Sequence, residues 1–352
     1  MMPVIDYSGR IPSLRKGLVK RGLDAFLVTN ETNISYLCGF PGKDSVLLLT
    51  AKEKYFITDS RFIEEAQENV KDFNIKLVRA STYETLCALI KKSALKKIGF
   101  EAMNLPYEVA CRLGKLAGRQ KLQPTKDFIE DLRSVKDPAE GELIRRSIRL
   151  TKKVLAITIE RAKPGVAENV LSRDIELLFI KNGARAAFEP IVASGANSSK
   201  PHARPGNTGI ANNSFLMIDI GCSLNSYNSD LTRMVTLGRV SDRFKKIYDI
   251  VRKAQRLAIE KIKPGVRISD VDSAARRYIQ SRGFGKYFGH ALGHGVGMDI
   301  HERPNISKCS NGFLRPGMIF TVEPAIYLPK FGGVRIEDMV LVTNSGCEIL
   351  TA

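Results

Sequence analysis

This chain of 352 residues has four histidines, and all of them lie between positions 202 and 301. Three of them, His290, His294 and His301, fall within one glycine-rich stretch of twelve residues. The glycines between positions 289 and 297 keep this stretch from forming a regular helix and let its backbone approach a ligand closely. They also argue against the HExxH zinc motif, which needs a helix and a glutamate. The cluster indicates a functional site rather than scattered core or surface histidines.

Acidic residues interrupt apolar, strand-like segments in the same part of the chain. They are Asp219 in FLMIDIG, Asp230 in SYNSDLTR, Glu323 in FTVEPAIY, and Glu337 and Asp338 in VRIEDMVLV. Ionised carboxylates avoid such settings unless they are paired or bind a metal. For any one of them, an exposed strand face or a salt bridge to Arg233 or Arg335 is an alternative explanation. Together with the histidines, they favour a single pocket.

Four carboxylates and one imidazole make a ligand set suited to Mn²⁺ or a similar divalent ion, and too large for one ion. Two metals roughly 3.5–4 Å apart, bridged by two carboxylates and a water, account for the number of ligands. Between two cations the water loses a proton near neutral pH. The sequence therefore predicts hydrolysis without a serine or cysteine nucleophile.

Two domains are predicted to carry these residues. Residues 1–135 alternate helix-like and strand-like segments, as in an α/β domain, and a proline-bearing segment at 133–142 closes it. Beyond a basic helix that begins near Pro138, the segments IERAKPGV (159–166) and IEKIKPGV (259–266) repeat one hundred positions apart, each between two predicted helices. The repeat indicates a domain of two related halves with a site between them. Coincidence in a common helix-stop sequence is the alternative.

Composition limits the class of protein. Hydrophobic residues make up 43% of the chain and charged residues 26%, which allows a sizeable core and argues against disorder. No apolar run approaches the ~18 residues of a membrane span, and the six cysteines lack disulfide or CxxC spacing, so we expect a cytoplasmic protein without a membrane partner. The net charge of +18 is spread over basic, helix-like segments with no nucleic-acid-binding motif, so nucleic acid is not expected as a partner.

At these residues the sequence resembles the metallopeptidases with the pita-bread fold, and within them the aminopeptidase P and prolidase family. The family's ligands, Asp, Asp, His, Glu and Glu in that order, match Asp219, Asp230, His294, Glu323 and Glu337. Residues 1–135 resemble the creatinase/prolidase N-terminal domain, which methionine aminopeptidases lack. The resemblance implies an α/β N-terminal domain followed by a pseudo-symmetric α+β pita-bread catalytic domain at residues 136–352.

The resemblance also implies a metal role for each ligand. Asp219 would hold one metal, His294 and Glu323 would hold the other, and Asp230 and Glu337 would bridge them. The expected cofactors are two divalent metal ions, with Mn²⁺ favoured and Co²⁺ or Zn²⁺ as alternatives.

Four residues are implied as catalytic. His202, His290 and His301 would line the substrate pocket and help to move protons or stabilise the tetrahedral intermediate. Glu323 would relay a proton to the proline nitrogen in addition to holding a metal.

The expected activity is that of an Xaa-Pro aminopeptidase, acting as a homodimer on peptides with proline in the second position. The first alternative is an Xaa-Pro dipeptidase, or prolidase, which must recognise the free carboxylate of proline. The short stretch between His301 and Glu323 offers no lid and favours the aminopeptidase, although Arg303, Lys308 and Lys330 could each pair with a carboxylate. The second alternative is a non-catalytic pita-bread protein that binds peptides, histones or nucleic acid, but such relatives usually lose ligands that this chain keeps.

Overall fold

The computed structural model describes residue 3, residues 5–117 and residues 122–352. The chain divides into two compact units, Ile5–Arg133 and Ser134–Ala352. Positions 1, 2, 4 and 118–121 of the predicted N-terminal domain lie outside the described residues. Among the helices of the described part, none combines the length and apolar character needed to cross a membrane.

The first unit is an α/β structure around a mixed sheet. Its strands are β1 (Ala25–Val28), β2 (Val46–Thr50), β3 (Lys54–Thr58), β4 (Asn74–Leu77), β5 (Ile98–Glu101) and β6 (Leu122–Thr125). Its helices are α1 (Arg10–Arg21), α2 (Glu31–Cys38), α3 (Ile63–Asn69), α4 (Thr82–Lys92), α5 (Tyr107–Ala117) and α6 (Phe128–Arg133). The strand order in the described residues is β4-β3-β2-β1-β5-β6. Strand β2 pairs antiparallel with β1 and β3, whereas the pairs β3–β4, β1–β5 and β5–β6 are parallel. The segments SVLLLT and KYFITD form the antiparallel pair β2 and β3.

The second unit places helices against several antiparallel sheets. Its helices are α7 (Pro138–Arg161), α8 (Glu168–Lys181), α9 (Asp242–Ile259) and α10 (Ile268–Ser281). Its strands are β7 (Arg185–Ala186), β8 (Ile191–Ser194), β9 (Ser214–Ile220), β10 (Cys222–Leu224), β11 (Tyr227–Asn228), β12 (Leu231–Leu237), β13 (Gly293–Gly295), β14 (Glu302–Ile306), β15 (Ile319–Val322), β16 (Ala325–Leu328), β17 (Gly332–Arg335), β18 (Asp338–Val342) and β19 (Cys347–Ile349). The described strands of this unit form sheets of the orders β11-β10-β7, β12-β9-β8 and β14-β13-β15-β18-β19, and the hairpin β16-β17.

The start of α7 follows from local sequence. Asp137 caps the helix, because its side chain accepts from the Glu140 N–H at 2.8 Å while the Glu140 side chain accepts from the Asp137 N–H at 3.0 Å. Pro138 follows the cap, where a missing N–H costs nothing. The helix therefore begins where the sequence predicts it.

The second unit consists of two related halves, as the KPGV repeat predicts. In each half a helix, a KPGV turn and a second helix precede three antiparallel strands, which are ordered β8-β9-β12 in one half and β13-β15-β18 in the other. The turns also match in detail, because the N–H of Gly165 donates to the carbonyl of Ile210 and that of Gly265 donates to Leu314, each at 2.9 Å. The predicted fold, an α/β domain followed by a pseudo-symmetric α+β domain, is confirmed.

Each half has a hydrophobic core between its helices and its sheet. Ile175 and Phe179 of α8 share a buried cluster with Ile218 of β9. In the other half, Ile279 of α10 shares a buried cluster with Phe320 of β15. These clusters pack one face of each sheet against the helices of its own half.

Two predicted strand-like runs, MIFTVEPAIY and VRIEDMVLVT, are each broken into two strands. The first breaks at Glu323 and Pro324, between β15 and β16, and the second breaks at Ile336 and Glu337, between β17 and β18. Pro324 has no N–H to donate to a sheet, which explains the first break. Glu323 therefore lies between β15 and the β16–β17 hairpin, and Glu337 lies between that hairpin and β18.

Candidate metal centre

The five residues expected as metal ligands converge between the two halves of the second unit. Asp219 lies on β9 and Asp230 directly precedes β12, so the first half supplies both aspartates. His294 lies on β13, and Glu323 and Glu337 lie at the two strand breaks of the second half. Asp219, Asp230 and Glu337 are buried, and the other two are partly buried. Strand ends from both halves thus form one polar centre.

The imidazole of His294 lies close to two of the other expected ligands. Its Nε2 lies 3.3 Å from Glu323 Oε1 and 3.5 Å from Asp230 Oδ2. One ligand atom from each of Asp230, His294 and Glu337 lies within 4.8 Å of the others. Separations of this size fit side chains arranged around a cation.

The electrostatics of the centre also fit divalent cations. Burial raises the pKa of Asp230 well above its usual range, and the carboxylates of Glu337 and Asp219 raise it further. Burial likewise raises the pKa of Glu337, followed by the effects of Glu323 and Asp219. Asp219 Oδ1 and Glu337 Oε1 are buried without a hydrogen-bond partner. Because closely packed carboxylates need compensating positive charge to stay ionised, the residues fit a metal centre.

Arg335 provides part of that positive charge. Its guanidinium is buried and donates from Nη2 to Asp219 Oδ2, from Nη1 to Tyr327 Oη at 2.6 Å, and from Nε to Thr232 Oγ1 at 3.2 Å. Burial raises the pKa of Tyr327 to about 12, so its hydroxyl remains protonated. The salt bridge that sequence analysis left open for Asp219 is therefore present, in addition to its place in the cluster.

Sequence reasoning missed Thr232 and Tyr327. Thr232 Oγ1 donates to Glu337 Oε2 at 2.6 Å and so orients a carboxylate from the other half. Its position two residues after Asp230 could have revealed it, because alternate residues of a strand share a face. Tyr327 follows Glu323 by four residues across the strand break, a spacing that no simple pattern connects to the site.

Asp338 does not belong to this centre. Its Oδ1 accepts from Arg233 Nη2 and from Thr351 Oγ1, each at 2.7 Å. Its Oδ2 accepts from Gln255 at 3.0 Å. The salt-bridge alternative is therefore correct for Asp338, and its neighbour Glu337 is the residue of the pair that faces the cluster.

His290 lies beside the centre, partly buried between two aromatic rings. Its Nε2 is 3.3 Å from Tyr327 Oη, and its Nδ1 is 2.7 Å from the carbonyl of Ala291. The ring meets Phe288 edge to face, with centroids 5.1 Å apart. Burial lowers the pKa of His290, so the ring is neutral at pH 7.

His301 and His202 are both exposed. The ring of His301 packs edge to face on His294, with centroids 4.2 Å apart, and this partial burial of the ring, followed by the effect of His294, lowers the pKa of His301. His202 follows Pro201, whose carbonyl accepts from Arg335 Nη1 at 3.1 Å. All four histidines therefore lie on segments that reach the centre.

The glycine-rich stretch includes a position where the packing of two strands requires glycine. A Cβ at Gly293 would lie 1.9 Å from the carbonyl oxygen of Thr321, so glycine is needed there for the close approach of β13 and β15. The backbone approaches a neighbouring strand at this point, and a close approach of the stretch to a ligand stays a prediction.

Two related halves around a carboxylate-rich centre form an arrangement suited to divalent cations. The chain belongs to metallopeptidase family M24, which residues 142–344 match, and residues 10–135 match the creatinase/prolidase N-terminal domain. The protein is therefore a metallopeptidase, and its family implies divalent metal ions.

Individual relatives extend this similarity over nearly the whole chain. An Xaa-Pro dipeptidase of Pyrococcus horikoshii is 35% identical over 94% of this chain and 93% of its own. The structure of an Xaa-Pro dipeptidase from Bacillus anthracis is 34% identical, with a TM-score of 0.94 over 98% of both chains. The structure of an X-Pro aminopeptidase from Thermotoga maritima is 34% identical, with a TM-score of 0.85 over 94% of this chain and 96% of its own.

Proposed function

We propose that the protein is an Xaa-Pro dipeptidase, which hydrolyses the bond between an amino acid and a C-terminal proline. The observation that carries this proposal is the full-length similarity to proteins named Xaa-Pro dipeptidase, combined with the convergence of all five expected ligands. The sequence-based order of preference is thereby reversed, since the alternative has better support than the Xaa-Pro aminopeptidase. The aminopeptidase stays as the second candidate because of the relative from Thermotoga maritima.

The proposed metal ligands are Asp219, Asp230, His294, Glu323 and Glu337, for two divalent ions with Mn²⁺ favoured over Co²⁺ or Zn²⁺. The orphaned oxygens of Asp219 and Glu337 and the raised pKa values of the buried carboxylates support this assignment. When bound, such ions would polarise the scissile carbonyl and activate the attacking water.

Glu323 is proposed to carry the proton from the attacking water to the proline nitrogen. Thr321 Oγ1 donates to its Oε1 at 3.0 Å, which orients the carboxylate. Burial alone would raise the pKa of Glu323, but the neighbouring His294 and then His290 lower it. The group is therefore ionised and able to accept a proton at neutral pH.

The other histidines are proposed to act on the substrate. His290 donates from Nδ1 to the Ala291 carbonyl, so the neutral ring presents Nε2 as an acceptor that would take part in moving a proton during the reaction. His301 and His202 are exposed beside the centre and would contact the substrate main chain. Arg335 and Thr232 keep Asp219 and Glu337 in place.

Several broader features belong to the same proposal. Residues 1–135 would form the N-terminal domain and residues 136–352 the catalytic domain, in a cytoplasmic homodimer that acts on peptides with proline in the second position. Support for the domain limits comes from the two compact units and the two matched ranges.

The test compares kcat/KM for an Xaa-Pro dipeptide, its C-terminal amide and the matching Xaa-Pro-Yaa tripeptide, with Mn²⁺ supplied. A dipeptidase should lose at least ~10²-fold on amidation, because the group that binds the free carboxylate is left without its partner. An Xaa-Ala dipeptide controls for the need for proline. Cleavage of the tripeptide with the dipeptide untouched would assign the aminopeptidase. Absence of any cleavage, with salt-sensitive binding of RNA or DNA, would assign the non-catalytic alternative.

A further inference from the structure

We propose that Asp272 and Arg276 on α10 form a positioning pair for His290, by fixing the backbone on both sides of this histidine. The inference deepens the proposed function, on which it rests, because it concerns a histidine of the same site. Neither residue touches the cluster of expected ligands through a described hydrogen bond, so each would act through the segment it holds.

The pair makes a two-point ionic contact across one helical turn. Arg276 Nη2 donates to Asp272 Oδ1 and Arg276 Nε donates to Asp272 Oδ2, each at 2.7 Å. Asp272 is fully buried and the Arg276 side chain is 22% exposed. A planar guanidinium bound in this way has few alternative orientations.

The other described hydrogen bonds of the pair all join it to the His290 segment. Arg276 donates to the carbonyl of Phe288 at 3.0 Å and to the carbonyl of His290 itself at 2.8 Å. Asp272 Oδ1 accepts from the N–H of Leu292 at 3.1 Å. Three alternate backbone positions are therefore bound to one ion pair.

The same guanidinium also sets the surroundings of the ring. It lies 4.2 Å from the centroid of the Phe288 ring, and that ring meets His290 edge to face. Tyr327 contacts His290 from another direction. Backbone and ring are thus both held, which is what a side chain needs in order to meet a substrate in one orientation.

An ordinary helix salt bridge is the competing explanation. Exposed pairs four residues apart contribute little and have no special acceptors beyond each other. This pair is mostly buried and binds three backbone groups outside its own helix. Its contacts are therefore better explained by the segment that it holds than by the helix on which it lies.

The test uses Arg276→Met, the milder Arg276→Lys, and Arg277→Met as a matched control on the exposed side of the same helix. The protein has four histidines, so ring signals of ¹⁵N-histidine-labelled, Zn²⁺-loaded protein can be assigned with single His→Ala variants. Arg276→Met should shift the His290 ring signals, leave those of His202 in place, and lower kcat on an Xaa-Pro dipeptide by about 10- to 100-fold at unchanged metal content. Arg276→Lys should restore part of the rate, and the control should change neither readout.

A double-mutant cycle separates positioning from general damage. In a His290→Ala background, Arg276→Met should lower kcat by less than about 3-fold, because the residue through which it acts is absent. Unmoved His290 signals, or additive losses of kcat, would overturn the inference. If Arg276→Met does not fold, Arg276→Lys is judged by the same criteria. A wild-type protein that cuts no Xaa-Pro peptide, yet shows the selective His290 shift in the variant, would reject the proposed function while retaining the positioning pair.

Discussion

In the first half of the catalytic unit the segment that carries His202 is bound by Glu168, at the start of α8, whereas in the second half the His290 segment is bound by Asp272, in the second turn of α10. Glu168 is buried and accepts four hydrogen bonds from neutral donors. They come from the Ser194 N–H at 2.6 Å, Ser194 Oγ at 2.8 Å, Asn197 Nδ2 at 2.9 Å and the Gly206 N–H at 3.0 Å. Asp272 instead forms an ion pair with Arg276.

The repeat places the two carboxylates at different positions. At a spacing of one hundred, Glu168 corresponds to Ile268, which is buried in an apolar core, and Asp272 corresponds to Ser172, which donates to the Pro190 carbonyl at 3.3 Å. The halves therefore share backbone turns and strand order but not the polar groups that hold the histidines. A common frame can carry a site whose two sides are chemically different.

The largest effect is expected where the halves meet, at Glu337. Glu337→Gln removes a charge but keeps the shape that receives the Thr232 hydroxyl, so the fold should persist. We expect kcat on Xaa-Pro substrates to fall by at least ~10²-fold, the scale for removal of one key electrostatic contact. Near-normal activity in a metal-replete assay would remove Glu337 from the mechanism.

The same variant should behave differently without metal. Burial raises the folded-state pKa of Glu337, so its ionised form opposes folding and its contribution to stability is lost as pH rises. With chelator present, Glu337→Gln should therefore unfold at a higher temperature than wild type at pH 8, and this difference should shrink as pH falls towards 4. A wild-type protein more stable than the variant at pH 8 under chelation would contradict this.

Glu168→Gln should have a smaller effect, and mainly on stability. The new amide group presents N–H donors to groups that are themselves donors, such as Asn197 Nδ2 and the Gly206 N–H, so two hydrogen bonds are lost in a buried place. We expect a loss of about 1–3 kcal/mol in the free energy of unfolding. Because His202 is exposed, kcat should fall less than in Arg276→Met. A larger kcat loss than in that variant would reverse the proposed ranking of the two histidine segments.

Much of this arrangement could be predicted from the sequence, because the residues involved carry strong local signals. The KPGV repeat predicted the two halves. Acidic residues within apolar segments, together with the histidine cluster, predicted the side chains that converge, with Asp338 as the exception. Thr232 escaped because it acts through a contact with Glu337, 105 residues away. Tyr327 escaped because it contacts Arg335 across a hairpin and His290 from 37 residues further along the chain. The breaks at Glu323 and Glu337 escaped because apolar runs show no periodicity where one strand stops and another begins.

The smallest effects are expected at the two KPGV turns, whose backbone structure the halves share. Gly165 and Gly265 have φ angles of 88° and 81°, and a Cβ at either position would meet nothing within 4 Å. Alanine at either turn should therefore cost only backbone strain, about 1–2 kcal/mol, and the two losses should agree. Gly141, inside α7 and equally open, is the control, because alanine there should stabilise the protein by roughly 0.5–1 kcal/mol. Urea unfolding followed by circular dichroism measures all three. If the two losses differed by more than about 1 kcal/mol, the equal hydrogen bonds to Ile210 and Leu314 would not make the turns energetically equivalent. The two halves would then differ in their backbone turns as well as in their side chains.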